Sequence, residues 1–154
     1  MNITIRKAEV SDASVICDFI HKLTEYQGFS EDCTLTVEET ERLMKKANGL
    51  HAVIAEDNGV PVGFTSYIFI PLASLSGRKI IYIEDAFIIE KMRRQGIGRA
   101  IFEFIQELGK AKNCLRLEWK DLSANEEAVK FYEKIKRKAG IGKRCWLFSV
   151  WWAK

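Results

Sequence analysis

Two short stretches carry residue types suited to chemistry. In "EKMRRQGIGRAIFEFIQEL", Glu90 to Leu108, arginines and two glycines crowd into Arg93 to Gly98 before an apolar helical rhythm begins. Glycine inside a helix costs about 1 kcal/mol relative to alanine, so glycines at this join imply a backbone that something must approach closely. A strand, a loop with closely spaced glycines and then a helix N-terminus make an anion site: free N–H groups converge there and the helix dipole adds positive potential. Phosphate suits it. In "KIIYIEDAFII", Lys79 to Ile89, Glu84 and Asp85 interrupt an apolar run long enough for a central strand. A buried unpaired carboxylate is costly and shifts its pKa, so an acid at that place is a candidate for proton transfer.

Two familiar phosphate motifs fail against the glycine loop. A P-loop needs Gly-x-x-x-x-Gly-Lys-[Ser/Thr], which is absent, and a dinucleotide fingerprint needs a third glycine where Ile101 stands. Metal chemistry is not expected either. Cys17, Cys33, Cys114 and Cys145 are widely separated, and only His21 and His51 could join them. The cysteines are read as reduced and structural, Cys17 and Cys114 lying within apolar patterns.

These residues need a scaffold, and the chain is long enough to build one. Its 154 residues, 47% hydrophobic and 29% charged, fit one globular domain spanning 1–154. The opening "NITIRKA" has no signal-peptide pattern, and no apolar run is long enough to span a bilayer, so a cytoplasmic protein without a membrane partner is expected. A net charge of +3 is too small to demand nucleic acid.

The elements read in order. "NITIRKA" alternates as a strand, after which Ser11 or Asp12 can cap a helix with Val15, Ile16, Phe19, Ile20 and Leu23 on one face. Thr36 and Glu39 have capping-box spacing before a second helix ending near Asn48. "HAVIAED" and "PVGFTSYIFIP" flank Asn58-Gly59, a strong hairpin signal. After the "KIIYIEDAFII" strand comes a helix with Ile101, Phe102, Ile105 and Leu108 on one side, then the strand "CLRLEW", the helix "SANEEAVKFYEKIKRK" and the strand "RCWLFSVWW". The order β-α-α-β-β-β-α-β-α-β predicts an α/β fold with a mixed central sheet flanked by helices.

Arg93-Arg94-Gln95-Gly96-Ile97-Gly98 matches Arg/Gln-x-x-Gly-x-Gly/Ala, and "NEEAVKFYEK" is similar to an Asn-x-x-Ala-x-x-Phe-Tyr-x-Lys helix. With the element order, these segments resemble the GCN5-related N-acetyltransferase (GNAT) superfamily from Ile3 to about Val150. "KLTEYQGF", "YIEDAFI" and Trp146 in "CWLF" narrow the resemblance to the spermidine/spermine (diamine) and thialysine acetyltransferase branch. The resemblance implies acetyl-coenzyme A as cosubstrate and a primary amine of a small molecule as acceptor. It implies that the backbones of Ala86, Phe87 and Ile88 meet the thioester and pantetheine. Arg93, Arg94, Gln95, Gly96, Ile97, Gly98 and Arg99 would hold the pyrophosphate, with Asn125, Glu126, Glu127 and Ala128 on the other side.

Amine acetylation needs a neutral amine and a proton for the departing thiolate. Glu84 is the expected base, desolvated and raised in pKa, with Asp85 the structural member of the pair. Tyr132 is the expected acid by resemblance; on its helix alone it reads as a core aromatic. Tyr26, Gln27, Glu84, Glu118, Trp119, Lys120, Arg144 and Trp146 fall where the branch has its substrate pocket. The sequence departs there, because Gln27 and Arg144 replace acids that would meet a polyamine's distal ammonium groups, and Ser76 stands at an aromatic position. A cationic pocket disfavours spermidine. The resemblance also implies a homodimer, for which Trp151 and Trp152 are available. A different reading makes the aromatic end and the basic run from Lys134 to Arg144 a surface for RNA or protein, with the fold as scaffold.

Overall fold

The computed structural model describes residues 1–47, 49–75 and 77–119, together with Lys130 and Lys134. Its elements are β1 (Ile3–Lys7), α1 (Ala13–Gln27), α2 (Val37–Lys45), β2 (His51–Asp57), β3 (Val60–Leu72), β4 (Arg78–Ile88), α3 (Ile97–Ala111) and β5 (Leu117–Trp119). That is the predicted order through β5. Lys130 and Lys134 are helical, within the last predicted helix. The rest of that helix and the closing strand lie outside the described residues.

The five strands form one sheet in the order β1-β2-β3-β4-β5. Neighbours are antiparallel except β4 and β5, which run parallel and are joined by α3 as the crossover. The β2–β3 connection is the predicted hairpin: Asn58 and Gly59 have φ of 51° and 81°, the left-handed pair that lets a two-residue turn follow the strand twist.

The helices α3 and α1 bury the faces their periodicity marks. Ile97, Ile101, Phe102, Ile105 and Leu108 of α3 pack on one side of the sheet with Val53, Tyr67, Ile81 and Ile83. On the other side, Ile16 and Phe19 of α1 pack on Ala52, Ile54 and Phe64. Each such side chain contributes about 1.5–3 kcal/mol when fully removed from water, so these two clusters fix where the helix ends sit against the sheet.

Capping follows expectation at α2, where the Glu39 N–H donates to Thr36 Oγ1 at 3.1 Å. At α1 it does not. Asp12 occupies the N-cap position, but its carboxylate accepts two bonds of 2.8 Å from Arg6 and one of 2.8 Å from the Glu9 N–H, and makes no cap bond to α1. A bidentate guanidinium pair outcompetes a single amide. Arg6 also reaches Glu56 from its Nε at 2.9 Å, which ties β1, β2 and the start of α1 together.

Candidate active site

The acidic break in β4 is a β-bulge. Tyr67 pairs with Ile83 and Thr65 with Ala86, so the single residue Ser66 of β3 opposes both Glu84 and Asp85. An extra residue reverses the alternation of side chains along a strand. Accordingly Ile81 and Ile83 belong to the α3 face before the bulge, whereas after it Ile88 faces α3 and Phe87 joins the α1 cluster. The bulge also frees backbone groups from the ladder. Ser66, fully buried, takes one of them: its Oγ accepts the Asp85 N–H at 3.1 Å and lies 2.7 Å from Asp85 Oδ2, to which its hydroxyl donates.

The burial of the two acids corrects the expectation. Glu84 is exposed, while Asp85 is half-buried. Desolvation pushes the Asp85 carboxyl up from its ordinary value, against the opposing effect of the Ser66 hydrogen bond. The desolvated carboxylate expected of Glu84 is therefore found at its neighbour, because the bulge turns Asp85 towards Ser66. The half-buried Tyr82 phenol is pushed up by burial first, then by the negative charge of Glu84, Asp85 and Glu118. Those three acids thus share one electrostatic neighbourhood across β4 and β5.

Beyond β4 the chain turns into the glycine loop. Arg94 and Gly96 both take left-handed backbone conformations, with φ of 62° and 84°. Gly96 is the N-cap of α3 and has no side chain with which to cap it. The first intrahelical bond runs from the Ala100 N–H to the Gly96 carbonyl at 3.0 Å, so the amides of Ile97, Gly98 and Arg99 precede the helix's own ladder. Among the described residues, a Cβ built at Gly96 meets nothing within 4 Å. Amides before the ladder beside open space are what an anion requires, and the expected pyrophosphate fits these residues.

Arg93 departs from expectation. Its Nε donates to the Ile88 carbonyl at 2.9 Å, and its guanidinium lies 4.7 Å from the Tyr26 ring centroid and 5.7 Å from that of Phe87. The side chain reads aromatic rings and a carbonyl of its own chain. Arg94, Gln95 and Arg99 are exposed around the loop, and Arg99 pairs with Glu103 at 2.7 Å.

The expected substrate residues divide. Tyr26 and Gln27 are exposed at the end of α1, which Gly28 closes with φ of 78°. Glu118 pairs with Arg116, the residue just before β5, both largely covered. Trp119 is 4% exposed and packs edge-to-face on Phe102 with centroids 5.3 Å apart, so it belongs to the core under α3 and not to a substrate surface. Parallel pairing of β5 with β4 puts it there. Lys120, Asn125, Glu126, Glu127, Ala128, Tyr132, Arg144 and Trp146 lie outside the described residues, as do Ser76, Cys145, Trp151 and Trp152.

A family model described as the acetyltransferase (GNAT) family matches residues 18–136, more than half the chain and inclusive of the bulge and the glycine loop. The chain belongs to the GNAT family. It is thereby an N-acetyltransferase, as the sequence predicts. Among its relatives, pig thialysine N-epsilon-acetyltransferase is 28% identical over 148 residues, covering 87% of this chain and 83% of the relative. The mouse protein of the same name is 29% identical, covering 84% and 80%. Glucosamine 6-phosphate N-acetyltransferase of Trypanosoma brucei brucei is 26% identical, covering 88% of each. Among solved structures, an aminoglycoside acetyltransferase from an uncultured soil metagenomic sample superposes with a TM-score of 0.76 at 20% identity, covering 99% of this chain and 100% of that one. At that identity the likeness concerns the GNAT fold.

Sequence reasoning found the loop and the acidic break of this GNAT chain but missed Ser66 and the ring contacts of Arg93. A serine inside the run "PVGFTSYIFIP" is a weak signal. Its meaning depends on the pairing of β3 with β4, which no local spacing encodes.

Proposed function

We propose that this protein transfers the acetyl group of acetyl-coenzyme A to a primary amine of a small molecule, and that the preferred acceptor also carries an acidic group. The observation that carries the reading is the left-handed pair Arg94 and Gly96 before the uncapped start of α3, one short turn beyond a bulge that presents Glu84. The thioester supplies an activated acetyl group. The chain supplies position and protons. Amides of Ile97, Gly98 and Arg99 hold the pyrophosphate, and the backbone from Ala86 to Ile88 lies alongside the pantetheine.

Glu84 is retained as the base on grounds of access. It is exposed beside the bulge, whereas Asp85 is tied to Ser66 through both its carboxylate and its N–H. A base must first be within reach of the proton, directly or through one water. The ammonium proton passes to Glu84, the neutral amine nitrogen forms the new C–N bond, and the C–S bond breaks as the sulfur takes the phenol proton of Tyr132; the second nitrogen proton, released as the amide forms, returns through solvent to the phenolate. Asn125, Glu126, Glu127 and Ala128 complete the cosubstrate groove, and Lys120, Arg144 and Trp146 the acceptor side; these, like the role of Tyr132, rest on the sequence resemblance. So does a homodimer, whereas the single domain and the cytoplasmic location are proposed from the length and composition of the chain. No helix among the described residues is long and apolar enough to cross a membrane.

Two relatives' names point to the class of acceptor. Thialysine is an amine with a carboxylate, and glucosamine 6-phosphate an amine with a phosphate. Both would suit a pocket in which Arg144 replaces an acid. The experiment is a panel of amines with acetyl-coenzyme A: thialysine, lysine, glucosamine 6-phosphate, putrescine and spermidine. Turnover of an acidic amine supports the proposal. Binding of coenzyme A without turnover of any acidic amine overturns the acceptor class, and absence of coenzyme A binding overturns the whole reading.

A further inference from the structure

Arg93 opens the glycine loop, yet its side chain is engaged elsewhere. The guanidinium sits over Tyr26 at 4.7 Å and over Phe87 at 5.7 Å, while Nε donates to the Ile88 carbonyl at 2.9 Å. Phe87 in turn contacts Phe19 at 6.0 Å, and Phe19 stacks on Phe64 at 5.5 Å with rings 5° apart. Phe19 and Tyr26 are two turns apart on one face of α1. A continuous series of rings therefore runs from the sheet core through α1 and β4 to one cation. That cation is the first residue of the loop.

The neighbours of Arg93 explain why it needs holding. Arg94 has φ of 62°, in the left-handed region that a side-chain-bearing residue enters only at a cost, and Gly96 is left-handed two residues later. Such a path persists only where surrounding contacts over-determine it. The carbonyl bond to Ile88 fixes the direction in which the chain leaves β4, and the Tyr26 and Phe87 rings fix the guanidinium that makes this bond. Tyr26 is 52% exposed and closes the stack from the solvent side.

We propose that Arg93 is a positioning residue, clamped by Tyr26 and Phe87, and that Tyr26 thereby sets the affinity of the loop for the pyrophosphate without touching it. This rests on the reading that the loop binds coenzyme A. It also links the end of α1, where Gln27 stands, to cosubstrate binding. A cation held between aromatic rings gains energy from the ring faces, and the ring is what matters rather than the phenol hydroxyl.

The test is calorimetric titration of coenzyme A into wild type, Tyr26→Leu, Tyr26→Phe, Arg93→Gln and the Tyr26→Leu/Arg93→Gln double variant, each verified as folded by circular dichroism. Tyr26→Leu should weaken binding about three- to tenfold, and Tyr26→Phe should restore wild-type affinity. In the Arg93→Gln background, Tyr26→Leu should add nothing, the signature of one coupled unit. If wild type binds and Tyr26→Leu binds equally well, or weakens binding by the same factor with and without Arg93, the proposal fails alone. If wild type does not bind coenzyme A, the reading of the loop fails and this inference with it. A packing role for Tyr26 would lower the melting temperature and leave affinity unchanged.

Discussion

The Ser66 hydroxyl donates to Asp85 Oδ2 at 2.7 Å, and Ser66 Oγ accepts the Asp85 N–H at 3.1 Å. One buried side chain thus compensates both the amide that the bulge releases from the ladder and the carboxylate that the bulge turns inward. Ser66→Ala removes both partners at once and leaves two polar groups without compensation. Loss of a buried partner costs about 1–3 kcal/mol per group left unsatisfied. Urea unfolding should show a lower midpoint with unchanged slope; a change under about 0.5 kcal/mol, the scatter of inert surface substitutions, would make the pair incidental.

The pH dependence of stability gives a second reading of the same pair. Burial raises the Asp85 pKa in the folded state. The folded protein then holds that proton more tightly than the unfolded chain, so this group's contribution favours folding at low pH and weakens as pH rises through the window above the ordinary aspartate value. Asp85→Asn should abolish this contribution. As pH rises above the ordinary aspartate value of about 3.9, wild type should lose stability relative to Asp85→Asn, and a relative gain would reverse the sign of the argument.

Glu84→Gln should lower the turnover rate by about one hundredfold or more, the usual scale of general-base catalysis, and remove the acid limb of the pH–rate profile. Coenzyme A affinity should hardly change. Tyr132→Phe should slow turnover in the same way while altering a different limb. If Asp85→Asn removes the acid limb and Glu84→Gln does not, the base is the buried acid.

The elements were legible because most of their information is local. The Asn58-Gly59 hairpin, the Thr36 cap and the α3 stripe each depend on residues a few positions apart, and each is where the sequence predicts it. The glycine loop is equally local. What escaped depends on contacts distant in sequence: Ser66 with Asp85, Tyr26 with Arg93, Trp119 with Phe102. Asp12 shows the same limit in miniature. Its position is that of a helix cap, but Arg6 of the preceding strand takes its carboxylate. Which acid of "ED" is the covered one could not be read from a strand pattern, since a bulge changes which of two adjacent residues faces inward.

Gly96→Ala tests the loop itself. The φ of 84° strains any side chain there by about 1 kcal/mol, but a Cβ meets no atom of the described residues within 4 Å, which accommodate it. An anion approaching the same space would not. Gly59→Ala is the control, with φ of 81° and equally open surroundings in the β2–β3 turn. Both variants should lose similar stability by thermal unfolding, and only Gly96→Ala should weaken coenzyme A binding. Equal affinity in the two variants would move the phosphates off this loop.

The proposed choice of acceptor rests on charge. A polyamine brings several ammonium groups and binds where acids are available to meet them. By the sequence resemblance Gln27, at the exposed end of α1, would stand at one such place, and Glu118, which would stand at another, is paired with Arg116, whose cation offsets it. Arg144 would add a positive charge suited to a carboxylate or phosphate through paired N–H donors. Thialysine should therefore show a higher kcat/KM than spermidine. Gln27→Glu should narrow the gap by improving spermidine, and Arg144→Gln should narrow it by impairing thialysine. Added salt screens exposed charges over roughly 10 Å at 0.1 M, so the thialysine advantage should shrink as ionic strength rises. A higher kcat/KM for spermidine in wild type, at both low and high salt, would sink the charge argument while leaving acetyl transfer itself in place.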